Sequence, residues 1–216
     1  MGITIGILAL QGDVEENLSA TREALRSLNL DGSVVQVKYP EHIAGVDGLI
    51  IPGGESTVIG TLAMLNGSLK VLRERISSGM PVMGTCAGMI LLAKKAYDRV
   101  VGETRQQLLN LLDVTVERNA FGRQIDSFEA DLKIKVIGEQ PFRGVFIRAP
   151  VVRSTGDSVD VLARLDDKSG SIGNGNGKIV AVQQSNIIGT SFHPELSGDT
   201  RLHKYFLRLV KEYKHR

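Results

Sequence analysis

A single cysteine, Cys86, stands among the 216 residues, so no intrachain disulfide can form. That fits a reducing compartment, and the protein is read as cytoplasmic. An excess of one charge is also missing. Lys and Arg number 26 against 24 Asp and Glu, a formal net charge of +2. The basic residues are dispersed apart from Lys211, Lys214 and Arg216. No basic field points to nucleic acid or an anionic membrane as a partner. No apolar run approaches the roughly 18–20 residues that span a bilayer. The apolar stretch Met1–Leu10 has no basic flank and no small-residue cleavage site, so it reads as a first buried strand and not a signal peptide. The 4 histidines are scattered without zinc-ligand spacing, so no metal and no other cofactor is expected. No internal repeat and no linker is visible, and residues 1–216 read as one domain.

What is present is an ordinary globular composition, 42% hydrophobic and 23% charged, enough for one well-packed core. Ile3–Leu10 is a near-continuous apolar run, the mark of a central parallel strand covered on both faces. Asp13 is placed to cap the following helix, with Glu16 in capping-box position and Val14, Leu18, Leu25 and Leu28 on one face. Strands are expected at Ser33–Lys38, Gly48–Ile51 and Pro81–Gly84. Helices are expected around Thr57–Leu65, Leu69–Ser78 and Ala87–Ala96, with Gly79 stopping the second. This alternation predicts an α/β fold, a parallel sheet with helices on both faces. Beyond it, Val114–Glu117, Ala130–Ile137, Gly144–Ile147, Val159–Leu165, Ile179–Gln183 and Ile187–Phe192 are strand-like with short connections, some of them antiparallel additions at the sheet edge. Asp166–Lys178 reads as a mobile surface turn, and a last helix runs over about Asp199–Tyr213.

Gly84-Thr85-Cys86-Ala87-Gly88 joins a predicted strand to a predicted helix. Small residues two positions either side of a nucleophile are the pattern of a nucleophile elbow, whose turn is too sharp for flanking side chains. Such a turn lifts the thiol out at the carboxyl end of the sheet and aims the Ala87 N–H at a developing oxyanion. The helix start favours thiolate over thiol. A lone cysteine is otherwise a small buried apolar residue, so a second element is needed.

Phe192-His193-Pro194-Glu195 supplies it. In an extended segment His193 and Glu195 project the same way, so the carboxylate can take the imidazole N–H and leave the other nitrogen for Cys86. The chain order nucleophile, histidine, acid differs from the nucleophile, acid, histidine order of α/β-hydrolases and disfavours an esterase. Ile51-Pro52-Gly53-Gly54-Glu55-Ser56-Thr57 lies where strands of such a sheet end and ligands bind. Its paired glycines allow a close backbone approach, and Gly53 and Gly54 can face Ala87 across an oxyanion site. A phosphate loop is the rival, but the Walker spacing with its lysine is absent, as is G-x-G-x-x-G after the first strand.

The elbow, the His-Pro-Glu and the glycine loop together resemble a class I, triad-type glutamine amidotransferase. Leu8-Ala9-Leu10-Gln11-Gly12, Arg118-Asn119-Ala120-Phe121-Gly122-Arg123-Gln124, Phe146-Ile147-Arg148-Ala149-Pro150 and Ser191–Leu196 narrow this. With them the whole chain is similar to the glutaminase subunits of pyridoxal 5'-phosphate synthases. The resemblance implies a flavodoxin-like three-layer sandwich with a mostly parallel central sheet. It implies a catalytic triad of Cys86, His193 and Glu195, glutamine contacts from Gly54, Glu55, Ser56, Arg118, Ile147 and Arg148, and a place for Gln11 near the partner interface and oxyanion site. It implies L-glutamine as substrate and a TIM-barrel synthase subunit as ammonia acceptor, in an assembly of twelve plus twelve. The family often has histidine where Asn17 stands. Composition and spacing alone do not select Arg118 over the other arginines. Three other readings remain beside this one: a glutaminase serving a different synthase, a protease-like α/β protein with a cysteine elbow, and a regulatory subunit that keeps the fold.

Overall fold

Alternate residues of the first strands point to opposite faces, and both faces are apolar. Ile3, Ile5 and Ile7 pack on one side, while Leu8 joins Leu49 and Ile51 on the other. Such strands need cover on both sides. In the computed structural model, which describes residues 2–121, 127–166 and 177–215, they receive it. Strands β1 (Ile3–Leu8), β2 (Gly32–Val37), β3 (Gly48–Ile51), β4 (Val82–Thr85) and β13 (Ile187–Thr190) run parallel in the order β2-β1-β3-β4-β13. This is the doubly wound flavodoxin-type order. Helices α2 (Pro40–Ala44), α3 (Ser56–Leu65), α4 (Ser68–Ser77) and α5 (Ala87–Leu92) cover one face. Helices α1 (Val14–Ser27) and α6 (Arg201–Lys214) cover the other with a hairpin of β8 (Ser127–Leu132) and β9 (Phe142–Ile147).

The sheet continues past β13 through β12 (Lys178–Gln184) and β10 (Val151–Thr155), both antiparallel to their neighbours, to β7 (Leu112–Glu117). There β5 (Ala93–Asp98) runs parallel to β7, with β6 (Gly102–Glu103) at the edge; β11 (Asp160–Leu165) pairs with β12 off this path. The expected three-layer α/β sandwich with a parallel centre and antiparallel additions is what forms.

Several boundaries differ from expectation. The helix at Ala87 ends at Leu92, because Ala93 takes ψ 155 and the chain pairs with β7 from Ala93 to Tyr97. Buried Ala93 and Ala96 around exposed Lys94 and Lys95 suit a helix by spacing, and tertiary pairing overrides that. The strand expected over Ala130–Ile137 stops at Leu132, and Lys135–Ile137 forms a 3-10 turn that tucks Ile134 into the core. Strand β10 and helix α2 were not foreseen. The expected surface turn Asp166–Lys178 falls almost wholly outside the described residues. Among the described residues no helix is long and apolar enough to cross a membrane.

Candidate active site

Neighbouring parallel strands bring their carboxyl ends together, with Thr190 beside Thr85 and Ile51 beside Gly84. The next residues of each strand therefore meet, and these carry the candidate chemistry. Cys86 makes the turn from β4 into α5 at φ 50 and ψ −104, a conformation most side chains avoid. Its N–H donates to the Thr190 carbonyl at 2.7 Å, and the Ile90 N–H reaches its carbonyl at 3.3 Å. A Cβ on Gly88 would lie 2.1 Å from the Ile51 carbonyl oxygen, so only glycine lets the elbow seat on β3. The sulfur lies 3.9 Å from the Ile147 carbonyl oxygen.

His193 leaves β13 with its N–H on the Val145 carbonyl at 2.8 Å. Its Nδ1 is 2.9 Å from Glu195 Oε1, whose side chain is fully buried. The two residues meet because Pro194–Leu196 forms a 3-10 turn that returns the Glu195 carboxylate to Nδ1, not because the segment is straight. A second carboxylate shares the nitrogen: Asp13 Oδ2 lies 3.2 Å from Nδ1. The expected helix cap by Asp13 is not made, and its carboxylate turns to the histidine instead. Two acceptors on Nδ1 fix the proton there and leave Nε2 for Cys86. Burial opposes charge on the ring, but hydrogen bonds with Asp13, the Cys86 sulfur and Glu195 outweigh it, and the His193 pKa is pushed up to about 12. The hydrogen bond from His193 in turn holds Asp13 below the usual carboxylate range against its partial burial. One nitrogen and two carboxylates within 4.8 Å match the spacing of metal ligands.

The cavity above Cys86, of about 280 Å³, collects most of the other expected residues. Gly54, Glu55, Ser56, Ala87, Arg118, Ile147 and Arg148 all line it. Arg118 Nη2 binds Glu55 Oε1 at 2.9 Å, pairing the two charges within the lining. Arg148 holds φ 42, which is costly for a side-chain-bearing residue and aims the chain into the site. Gln11 ties the glycine loop down by accepting the Glu55 N–H at 2.7 Å. Gly12, at φ 108, passes so close to the Gly53 carbonyl that any Cβ would overlap it. Gly53 and Glu195 sit behind the lining, Gly53 against the His193 ring. Asp13, Ile90 and Asn119 also line the cavity and were not singled out from the sequence. Asp13 was hidden by its resemblance to a helix cap. Asn17, on α1, is fully buried and donates to the Asp13 carbonyl at 2.8 Å. It therefore does not face outward in this chain. Arg123 lies outside the described residues.

Residues 7–212 match the SNO glutamine amidotransferase family. The chain belongs to that family. A relative in Nitrosopumilus maritimus, named as subunit PdxT of pyridoxal 5'-phosphate synthase, is 55% identical over 99% of this chain and all of its own length. The protein of the same name in Pyrococcus furiosus is 49% identical over 96% of this chain and 99% of its own. A solved structure described as a glutamine amidotransferase superposes with a TM-score of 0.79 at 45% identity, covering 96% of this chain and 98% of that one. Another glutamine amidotransferase, from Thermotoga maritima, shares the fold at TM-score 0.59 but only 12% identity, covering 100% of this chain and 87% of its own. The family's glutamine chemistry asks for a nucleophile, a proton carrier and a charged clamp for an amino acid. This cavity holds one candidate for each.

Proposed function

We propose that this SNO-family chain hydrolyses L-glutamine to glutamate and ammonia as the glutaminase subunit of a pyridoxal 5'-phosphate synthase. The observation that carries the reading is the single thiol at an elbow beside a doubly hydrogen-bonded histidine, in a cavity where Arg118 is paired with Glu55.

Arg118 and Glu55 are suited to the α-carboxylate and α-ammonium of glutamine, with Gly54, Ser56, Ile147 and Arg148 shaping the pocket. The raised proton affinity of His193 favours the imidazolium, and a Cys86 thiolate is the nucleophile the reaction uses. The thiolate attacks the side-chain amide carbon, and the oxygen's new charge is met by the Ala87 N–H and the Gly53–Gly54 loop. His193 Nε2 gives its proton to the departing nitrogen, the C–N bond breaks, and ammonia leaves a γ-glutamyl thioester on Cys86. Water then loses a proton to His193 and attacks the thioester carbon. The C–S bond breaks, and the thiolate–imidazolium pair returns. Glu195 orients the ring and supports its charge without taking the proton.

Ammonia released into water protonates and stops being a nucleophile. The chain is therefore read as docking, with Gln11 near the contact, against a TIM-barrel synthase subunit. The assembly is read as twelve of each, in the cytoplasm, with one glutaminase domain over residues 1–216. The test is glutamate release by the wild-type chain and Cys86→Ala, each with and without the synthase subunit. Stimulated release that vanishes in Cys86→Ala is expected. Equal turnover with and without the synthase would refute the coupling, and no turnover in either state would refute the glutaminase reading.

A further inference from the structure

Arg118 has a second, neutral partner that no sequence motif contains. Gln106 lies in the irregular segment between β6 and β7, residues 104–111. Its side-chain oxygen accepts from Arg118 Nη1 at 3.0 Å, from Ser56 Oγ at 3.2 Å and from Thr57 Oγ1 at 3.1 Å. Its Nε2 is buried and has no hydrogen-bond partner. The amide is therefore oriented by what faces its oxygen. Turning it over would set its NH2 against a guanidinium that can only donate. The segment is anchored as well. Arg73 donates to the Leu108 and Leu109 carbonyls at 3.0 and 3.1 Å, and the Leu109 N–H reaches the Leu91 carbonyl at 2.7 Å.

We infer that Gln106 is a positioning residue that holds Arg118 in place by one face of its guanidinium while the other face is exchanged between Glu55 and substrate. The inference rests on the glutaminase reading above. Nη1 stays on Gln106 and on Thr57 Oγ1, at 3.2 Å. Nη2 carries the bond to Glu55, whose side chain is half exposed and otherwise held only by a long cap bond from the Thr57 N–H at 3.4 Å, so it can turn to an α-ammonium at little cost. A neutral acceptor suits this task. It fixes the planar fork without consuming the charge that an α-carboxylate needs. A carboxylate at 106 would hold the fork equally well and compete with the substrate for it.

The test is glutamine hydrolysis by the full chain assembled with the synthase subunit, for wild type, Gln106→Met, Arg118→Met and the double variant. Gln106→Met is nearly isosteric and removes only the acceptor. Its KM for glutamine is expected to rise about tenfold, the value of a hydrogen bond to a charged group, with kcat within about twofold. Alkylation of Cys86 by iodoacetamide without glutamine should keep its wild-type rate. Arg118→Met should raise KM further, and adding Gln106→Met to it should change nothing more. An unchanged KM, a fall in kcat alone, or multiplying effects in the double variant would overturn the inference. Should Gln106→Met not fold, Gln106→Glu decides: the inference expects a raised KM at unchanged kcat, and a wild-type KM overturns it. A wild type that releases no glutamate refutes the glutaminase reading itself, which these variant outcomes do not.

Discussion

Two carboxylates share one histidine nitrogen, and their surroundings rank them. Glu195 lies 2.9 Å from Nδ1 with a fully buried side chain; Asp13 lies 3.2 Å away with 38% of its side chain exposed. Glu195→Gln keeps an acceptor oxygen and removes the charge. In a dry site that charge-assisted bond is worth about 1.5–3 kcal/mol, or roughly 10–150-fold in kcat/KM. Asp13→Asn removes the same charge where water screens it, so about 0.5–1 kcal/mol is lost, a factor of roughly 2–5. Both carboxylates raise the proton affinity of His193, the Asp13 hydrogen bond more than the Glu195 one, so removing either lowers it. The ranking nonetheless follows burial and distance, because water screens the half-exposed Asp13 charge and not that of Glu195. The imidazolium is the form lost as pH rises, and the alkaline limb of the pH–rate profile should therefore move to lower pH in both variants. The same proton favours the fold below the ordinary histidine value of 6.5, a gain that fades as pH climbs toward 12. The assay is kcat/KM for glutamine from pH 6 to 11, where the limb of a variant should enter before that of the wild type, with the iodoacetamide rate of Cys86 as a substrate-free control. A larger shift in Asp13→Asn than in Glu195→Gln, or a shift to higher pH in either, would refute the ranking.

Other consequences are open to measurement. His203 on α6 is fully buried with neither ring nitrogen bonded, and burial pushes its pKa down to about 4 against the opposing charge of Asp199. The unfolded chain binds that proton first, so stability is full above pH 6.5 and falls as pH drops toward 4, by roughly 3 kcal/mol at the acid end. His203→Leu should raise Tm, and more at pH 5 than at pH 8; an equal or negative change contradicts the assignment. Gly88→Ala places a Cβ 2.1 Å from the Ile51 carbonyl oxygen, which cannot yield cheaply because it is backbone. A loss of about 2–4 kcal/mol in denaturant unfolding is expected, and wild-type stability would contradict it. Glu117, nearly buried at the end of β7, is held by Arg99 and by Arg153 at 2.7 Å, and Arg99 also binds the Ala120 carbonyl at 2.7 Å. Burial pushes the Glu117 pKa up, the two arginines outweigh it, and the net shift is downward. This stabilises the fold above its ordinary value of 4.5 and fades as pH falls. Both arginines are half exposed, so Glu117→Gln should cost only about 1 kcal/mol in denaturant unfolding, while the loosened turn raises the KM for glutamine. An unchanged KM would separate the clamp from the site.

The strands that carry the site were legible because burial on both faces leaves unbroken apolar runs, as in Ile3–Leu8 and Gly48–Ile51. The elbow was legible because Gly84 and Gly88 have no steric alternative. The extent of α5 was not, since Ala93-Lys94-Lys95-Ala96 carries the spacing of a helix and only the distant strand β7 makes it a strand. Asp13 reads as a helix cap until β13 brings His193 to it. Gln106 gives no local sign at all, for its partners Ser56, Thr57 and Arg118 belong to other segments. Arg118 itself was selected by the family resemblance, and the fold then supplies a physical reason in its pairing with Glu55.

The most direct test of the account is mass analysis of the peptide carrying Cys86 after rapid quenching of the assembled enzyme turning over glutamine. A mass gain equal to one glutamyl group on that peptide, absent in Cys86→Ala, is the predicted result. Turnover of glutamine with no adduct on Cys86, or with the adduct on another residue, would contradict it.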